Sequence, residues 1–260
     1  MNIILISLLV GAVGMGLGAL FTATFGSKTD KMIGIFLSFA GGVMISIVFL
    51  ELIPEAIEYS NITVAIIGLI MGAVLVGVLN YVMDKISNAG KAKVKLHGTY
   101  TELFHSEDVV TRKKSMFRSG LIMLFAIGLH NIPEGLALGA AGYHDLSLGI
   151  TLAIIIGLHN IPEGMAVSAP LIAGGLSKAK AVLLTLMIGT TTAIGAVAGV
   201  LIGGISDTML ALSFAIAGGA MLYVVLGEIL PQSIVTSKDR IPTMFALVGV
   251  VIGMLFIAIF

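Results

Sequence analysis

The stretch LHNIPEG occupies residues 129–135 of this chain and returns unchanged at residues 158–164. Each copy lies inside a long apolar run. Its histidine and glutamate stand four positions apart, which puts them on one face of a helix. The proline between them removes a backbone donor and crowds the preceding turn, so it favours a bend at that point. Two such pairs in apolar surroundings indicate a buried polar site formed by two helices.

The rest of the chain is as apolar as these two stretches. Hydrophobic residues make up 58% of it and charged residues 11%, whereas about a quarter of an ordinary soluble domain is charged. A helix needs roughly 20 apolar residues to span a bilayer. Runs of that length predict an all-α polytopic membrane protein with one transmembrane domain over residues 1–260, and nothing in the composition suggests a nucleic-acid partner. The eight predicted spans cover residues 2–25, 32–53, 62–83, 119–141, 146–173, 179–203, 208–232 and 241–260.

The basic residues indicate how these spans are oriented. All 14 lysines and arginines lie between spans 1 and 2, 3 and 4, 5 and 6, or 7 and 8, with Lys180 in the first turn of span 6. Because cytoplasmic loops collect Lys and Arg, these loops are predicted to face the cytoplasm, and both termini to lie outside a plasma or inner cell membrane. The longest of them, residues 84–118, is polar and highly charged, so we expect it to be largely disordered.

A second, weaker repeat relates AGGVMISIVFLELIPEAI at residues 40–57 to AGGAMLYVVLGEILPQSI at residues 217–234. Short apolar segments also match by chance. Spans 2 and 7 run in opposite directions, as do spans 4 and 5, so both repeats are inverted. Inverted repeats are typical of secondary transporters, whose sites lie near the bilayer midplane. The register matches Met44 with Met221, Glu51 with Glu228 and Pro54 with Pro231.

The two LHNIPEG motifs fall near the middle of their spans, so their polar side chains are expected to meet at one depth. An ionised side chain there costs about 2.5–3.5 kcal/mol, which favours partners in the protein interior. Two imidazoles and two carboxylates suit zinc and other first-row divalent metals. A proline kink with a polar clamp is the alternative, but two inverted copies favour a metal site. The candidate ligands are His130, Glu134, His159 and Glu163, with Asn131 and Asn160 facing about 100° away towards a possible second metal.

The paired motif, the eight spans, the outward termini and the long cytoplasmic loop resemble the ZIP (Zrt/Irt-like) metal-transporter family, in particular its bacterial zinc-uptake branch. The resemblance implies a 3+2+3 arrangement, with helices 1–3 and 6–8 forming an inverted repeat around helices 4 and 5. It also implies a binuclear metal site, uptake towards the cytoplasm and often a homodimer. By motif match the metal ligands are His130, Asn131, Glu134, His159, Asn160 and Glu163, with Met44 of helix 2 approaching them.

One position departs from the family pattern. Members often carry a glutamate in helix 6 that completes the second metal position. Here the stretch reads GTTTAIGA, and the alignment puts Thr192 at that position, beside Thr191. A hydroxyl is a weak neutral ligand, so only Glu134 and Glu163 remain to balance metal charge. The sequence therefore predicts one firmly held metal and a second that is loosely held at most.

Two further acids lie within the spans. Glu51 falls near the outer end of span 2 and Glu228 near the inner end of span 7. They are either the outer and inner acids of one transport path or interfacial residues that touch lipid headgroups.

Taken together, the patterns predict a divalent metal-ion transporter. Zinc is the first candidate substrate, and Fe²⁺, Mn²⁺, Co²⁺ and Cd²⁺ suit the same ligands. An intramembrane zinc hydrolase and a channel-like metal permease are the alternatives. The metalloprotease pattern HExxH is absent from the sequence, and the inverted repeat favours a carrier, so we predict that the protein is not an enzyme.

Overall fold

The computed structural model describes residues 2–26, 29–88, 109–202 and 206–259, and within these ranges every regular element is helical. Eight helices of this part are long and apolar enough to cross a membrane, which confirms the all-α polytopic class. They are α1 (Asn2–Phe21, continued by a π-helical turn at Thr22–Gly26), α2 (Asp30–Ile47, π-helical Val48–Leu52, and Ile53–Tyr59), α3 (Ile62–Asn88), α4 (Val109–His144), α5 (Leu146–Ala173), α6 (Lys178–Gly189 and Thr191–Ile202), α7 (Asp207–Val224, π-helical Val225–Ile229, and Leu230–Ser237) and α8 (Ile241–Ile259).

Two helices extend into the segment that was predicted to be a loop. α3 continues to Asn88 and α4 begins at Val109, so the loop boundaries at residues 84 and 118 are wrong. Charge marks where a helix leaves the apolar layer, but Lys, Arg and Met are good helix formers and let the backbone continue beyond it. The remaining residues, 89–108, with their predicted disorder, lie outside the described residues.

The eight helices pack as two groups of four. α1, α4, α5 and α6 form one group, in which α4 packs on α6 and α5 packs on α1. α2, α3, α7 and α8 form the other, in which α2 packs on α8 and α7 packs on α3. The groups meet chiefly where α4 lies against α7 and α5 against α2. Exchanging helices 1–3 with 6–8, and 4 with 5, maps every one of these pairs onto another, as the 3+2+3 inverted repeat requires.

The register of the weaker repeat is confirmed by the way α2 and α7 are segmented. Each consists of an α-helical segment, a π-helical turn and a second α-helical segment, and each boundary in α7 except the last falls 177 positions after its counterpart in α2. Even the caps correspond, because the side chain of Thr29 accepts a hydrogen bond from the backbone of Met32 and that of Ser206 accepts one from Met209. The repeat is therefore structural and not a chance match of apolar letters.

The π-helical turns carry the two acids of the repeat. Glu51 lies in the turn of α2 and Glu228 in that of α7, each three residues before a proline, Pro54 or Pro231. Proline removes a donor from the helix ladder, and a widened turn accommodates the freed carbonyl. Turns of this kind are frequent at functional sites.

Glycines bring the backbones into direct contact inside each group. A Cβ atom at Gly135 would collide with the carbonyl oxygen of Thr192, and its repeat counterpart Gly164 meets the carbonyl oxygen of Met15 in the same way. Small residues allow such close approach of membrane helices. These contacts fix α4 on α6 and α5 on α1, and so fix the depth at which the LHNIPEG motifs lie.

The order of the crossings defines the two sides of the bundle. Because the chain crosses eight times, α1 begins and α8 ends on the same side, called here the terminus side. Glu51 lies in the terminus-side half of α2, and Glu228 lies in the half of α7 nearer the opposite side. Burial is greatest along α2 and α4, where 72% and 67% of the most apolar 18-residue stretch is buried, and least along α8, where 17% is buried. The outer helices therefore shield α2, α4, α5 and α7 from lipid.

Candidate metal centre

Four side chains of the LHNIPEG motifs converge between α4 and α5. His130 Nε2 lies 2.9 Å from Glu163 Oε1 on the other helix and 3.7 Å from Glu134 Oε1 one turn along its own. His159 Nε2 lies 3.3 Å from Glu134 Oε1. The predicted convergence of the two motifs is therefore present, and each histidine faces the glutamate of the partner helix.

These helices are not interrupted at their prolines. α4 continues through Pro133 and α5 continues through Pro162. Neighbouring helices allow membrane helices to tolerate proline in this way. The motif residues consequently keep their helical spacing, which is what holds each histidine over the glutamate four positions later.

The cluster is buried and short of hydrogen-bond partners. His130, Glu134, His159 and Glu163 are each at most 3% exposed. The only hydrogen bond within it joins His130 and Glu163, while both oxygens of Glu134, the second oxygen of Glu163 and both ring nitrogens of His159 have none. Burying carboxylates without partners is costly. A cation held between the two motifs would satisfy these atoms and offset their charge.

The atoms that face one another have a spacing that a metal ion can bridge. One ligand atom each from His130, Glu134 and Glu163 lies within 4.8 Å of the other two. Two ligands about 2.0–2.2 Å from a tetrahedral zinc ion are roughly 3.3–3.6 Å apart. The observed separations of 2.9 and 3.7 Å bracket that value, so small side-chain shifts suffice to admit the ion.

Comparison with known proteins shows which family the chain belongs to. A family model described as ZIP zinc transporter matches residues 80–260. The zinc transporter ZupT of Akkermansia muciniphila is 34% identical, over 99% of this chain and 97% of that protein. This chain belongs to the ZIP family. ZupT of Chlorobaculum parvum is 31% identical over 96% of this chain and 93% of its own length, and the zinc transporter GufA of Myxococcus xanthus is 45% identical over 45% and 46%. These relatives are transporters, which confirms that the chain is not an enzyme.

The two asparagines of the ZIP motifs are also buried without partners. Asn131 and Asn160 have no exposed surface, and neither amide has a hydrogen bond. The Cβ of Asn160 lies against Gly14 of α1. Met44 is fully buried in the apolar core along α2. Unpaired buried amides are uncommon, so the asparagines remain candidates for additional metal ligands.

Thr192, where ZIP relatives often carry a glutamate, is buried on α6. Its side chain lies against the backbone of Gly11 in α1, and its hydroxyl has no hydrogen-bond partner. The neighbouring Thr191 is half-buried and donates its hydroxyl to the carbonyl of Ile188, 2.7 Å away. Of the two threonines, Thr192 is the one with a free buried polar group.

The two acids of the weaker repeat have different surroundings. Glu51 lines a cavity together with His159, between α2, α5 and α8, and its Oε2 atom has no hydrogen-bond partner. Glu228 instead accepts hydrogen bonds from Asn80 of α3 and Ser119 of α4. Neither Asn80 nor Ser119 was predicted from the sequence as a site residue. Their only signal was polarity inside an apolar span, which many packing residues share.

Proposed function

We propose that this protein carries divalent metal ions, zinc foremost, across a cell membrane towards the cytoplasm. The observation that carries the proposal is the buried group of two histidines and two glutamates, in which both oxygens of Glu134, one of Glu163 and both ring nitrogens of His159 lack hydrogen-bond partners. A cargo ion supplies what the group lacks. The names of the curated relatives support zinc as that cargo, and Fe²⁺, Mn²⁺, Co²⁺ and Cd²⁺ are the competitors to test.

The ligands in this proposal come from both motifs. One zinc ion with two carboxylates is neutral, and two imidazoles complete a four-coordinate site. Asn131 and Asn160 are placed for a second ion, with Glu134 and Glu163 bridging the two, while Met44 is a softer ligand from α2. The primary set is His130, Glu134, His159 and Glu163.

The route to the site runs along the two acids. The cavity that joins Glu51 to His159 lies in the terminus-side half of the bundle, and the distribution of Lys and Arg puts that side outside the cell. Glu51 then receives the ion, and Glu228 lies on the way out to the cytoplasm. We further propose that the protein acts as a homodimer, as the family resemblance implies.

Uptake into reconstituted vesicles tests this function. Vesicles containing a zinc-sensitive dye should fill at a rate that saturates with external zinc, and the competing ions should rank by how strongly they slow it. A rate that rises linearly with concentration would instead favour the channel-like permease. No uptake of any divalent ion by folded, inserted protein would refute the transport function.

Metal binding is expected to release protons. The 2.9 Å hydrogen bond between His130 and Glu163 holds a proton where a metal ion would bind, and ligands must lose their protons to coordinate it. Zinc added to weakly buffered protein should release about one proton per ion, measured with a pH dye. Acidifying the outside should slow uptake for the same reason. Binding without proton release, together with a rate independent of pH, would contradict this.

Glu51 is expected to govern capture of the ion. Its charge raises the local cation concentration beside His159, so Glu51→Gln should raise the zinc concentration for half-maximal uptake by roughly tenfold and leave the maximal rate nearly unchanged. Glu58→Gln is the matched control, because Glu58 is exposed on the same helix. Equal effects of the two substitutions would assign Glu51 to the headgroup interface.

A further inference from the structure

We propose that Asn80 and Ser119 are positioning residues that hold Glu228 across the interface between the two four-helix groups and so keep the opposite side of the bundle closed. The inference rests on the proposed transport function, since it concerns release of the cargo. It assigns a role to polar residues that make no contact with the His/Glu cluster. The set Asn80, Ser119, Glu228 and Gln232 is called the latch.

The latch is a chain of hydrogen bonds within the apolar layer. Asn80 Nδ2 donates to Glu228 Oε1 at 3.3 Å, and Ser119 Oγ lies 3.1 Å from Glu228 Oε2. The same hydroxyl lies 3.4 Å from Gln232 Oε1, whose amide donates to Thr236 Oγ1 at 3.1 Å. A hydroxyl has one proton, so the shorter contact identifies Glu228 as its main acceptor. Hydrogen bonds to an ionised carboxylate are among the stronger ones in proteins.

Only one of these residues belongs to the group that carries the metal motifs. Asn80 and Glu228 lie on α3 and α7, which pack together in one group, and Ser119 lies on α4 in the other. Asn80 therefore orients the carboxylate within its own group, and Ser119 ties it to the other group. A movement of one group relative to the other that changes the contact between α4 and α7 breaks the bond from Ser119.

The inverted repeat shows that the latch exists on one side alone among the described residues. The residue 177 positions after Asn80 is Ile257, and the residue 29 positions after Ser119 is Leu148. Neither of these counterparts has a side chain that can donate a hydrogen bond, so the repeat supplies Glu51 with neither of the two donors that Glu228 has. Ile257 lines the cavity that Glu51 shares with His159. Glu228 is therefore held by hydrogen bonds on one side of the bundle, and Glu51 faces a cavity on the other.

This difference predicts which side of the bundle opens more readily. A fully symmetric repeat would have equal preference for opening on either side, because the two states would exchange identical contacts. Within the latch the bond from Ser119 to Glu228 is the one that joins the two groups, so it is present in one state and lost in the other. A contact shifts an equilibrium by its difference between states. The predicted bias is towards a bundle closed on the opposite side, with the cavity beside Glu51 present.

Exchanging the equivalent residues tests the latch. The chain contains no cysteine, so a single introduced thiol reports accessibility to a water-soluble maleimide. Met123→Cys places it on α4 between Ser119 and His130, at a position that is buried in this conformation. Ile155→Cys places it in the lining of the cavity beside Glu51. The assay is run without metal in detergent, so it is independent of transport.

Ser119→Ala should speed alkylation at position 123 by roughly tenfold, the effect of losing one hydrogen bond to a charged group, and slow it at position 155. Asn80→Ile removes only the donor that orients the carboxylate, so it should change both rates in the same directions by less. Ile257→Asn gives Glu51 a donor and should shift both rates the other way. Ser119→Thr keeps the hydroxyl and should behave as the parent. Ser46→Ala is the control, because Ser46 bonds Val250 O within one group, at 2.9 Å.

Three results would overturn the latch. Rates at position 123 that stay at the level of the Ser46→Ala control would show that the hydrogen bonds do not hold the groups together. Parallel increases at both positions would show general loosening. A Ser119→Thr variant that behaves as Ser119→Ala would show that side-chain size matters and not the hydroxyl. Any of these could occur with normal zinc uptake, whereas failure of the proposed function would abolish uptake without changing the alkylation pattern.

Discussion

Replacing Glu134 and Glu163 together with alanine is expected to lower zinc uptake into vesicles by at least about a hundredfold. The double variant leaves a divalent cation in a buried site with only neutral imidazoles, and an uncompensated buried charge costs several kcal/mol. At about 1.4 kcal/mol per tenfold, that loss removes binding at micromolar zinc. Uptake is measured with a dye inside the vesicles, at matched amounts of inserted protein.

The double variant should fold, because the two carboxylates make one hydrogen bond and otherwise only longer contacts with the histidines, at 3.3 and 3.7 Å. His130–Glu163 is the only hydrogen bond lost in the cluster, and removing two buried carboxylates relieves the cost of their desolvation. Its melting temperature should therefore equal or exceed that of the parent without metal, and zinc should no longer raise it. Glu58→Ala, at an exposed position of α2, is the control. Uptake near the parent level in the double variant would refute the assignment of these residues.

Thr192→Glu is expected to raise the number of tightly bound zinc ions from one towards two. In the unmodified protein two zinc ions would bring four positive charges against the two negative charges of Glu134 and Glu163, so the second ion is held weakly. The resemblance to the family predicts a glutamate at the buried Thr192, whose hydroxyl has no partner. A third carboxylate there would offset one more of the four positive charges. Bound metal is counted by native mass spectrometry of purified protein.

Thr191→Glu is the matched control for that experiment. Thr191 is half-buried, about 100° around α6 from its neighbour, and its hydroxyl is already bonded to the carbonyl of Ile188. It should leave the count at one. Binding of the first ion by Thr192→Glu shows that the variant is folded. Two fully bound ions in the unmodified protein would show that a further ligand balances the charge, and Glu51, in the cavity beside His159, would be the first to test.

The positions of the spans and of the His–Glu pairs follow from local pattern. Apolar length determines which segments cross a bilayer, and spacing of four determines that His130 lies over Glu134 and His159 over Glu163. The register of α2 with α7 could also be predicted, because a repeat with a fixed offset is detected by aligning the sequence with itself. The error at residues 84–118 arose because charge ends an apolar run without ending a helix, as α4 shows by beginning at Val109.

Tertiary structure alone decided what each of these side chains meets. That His130 pairs with Glu163 and His159 with Glu134 depends on how closely α4 and α5 approach, which glycine contacts to α6 and α1 control. Glu51 and Glu228 have matching sequence positions, yet one lines a cavity and the other is bound by Asn80 and Ser119. The bond from Asn80 to Glu228 joins residues 148 positions apart. No local pattern records such a pairing, because it exists only once separate helices have packed against one another.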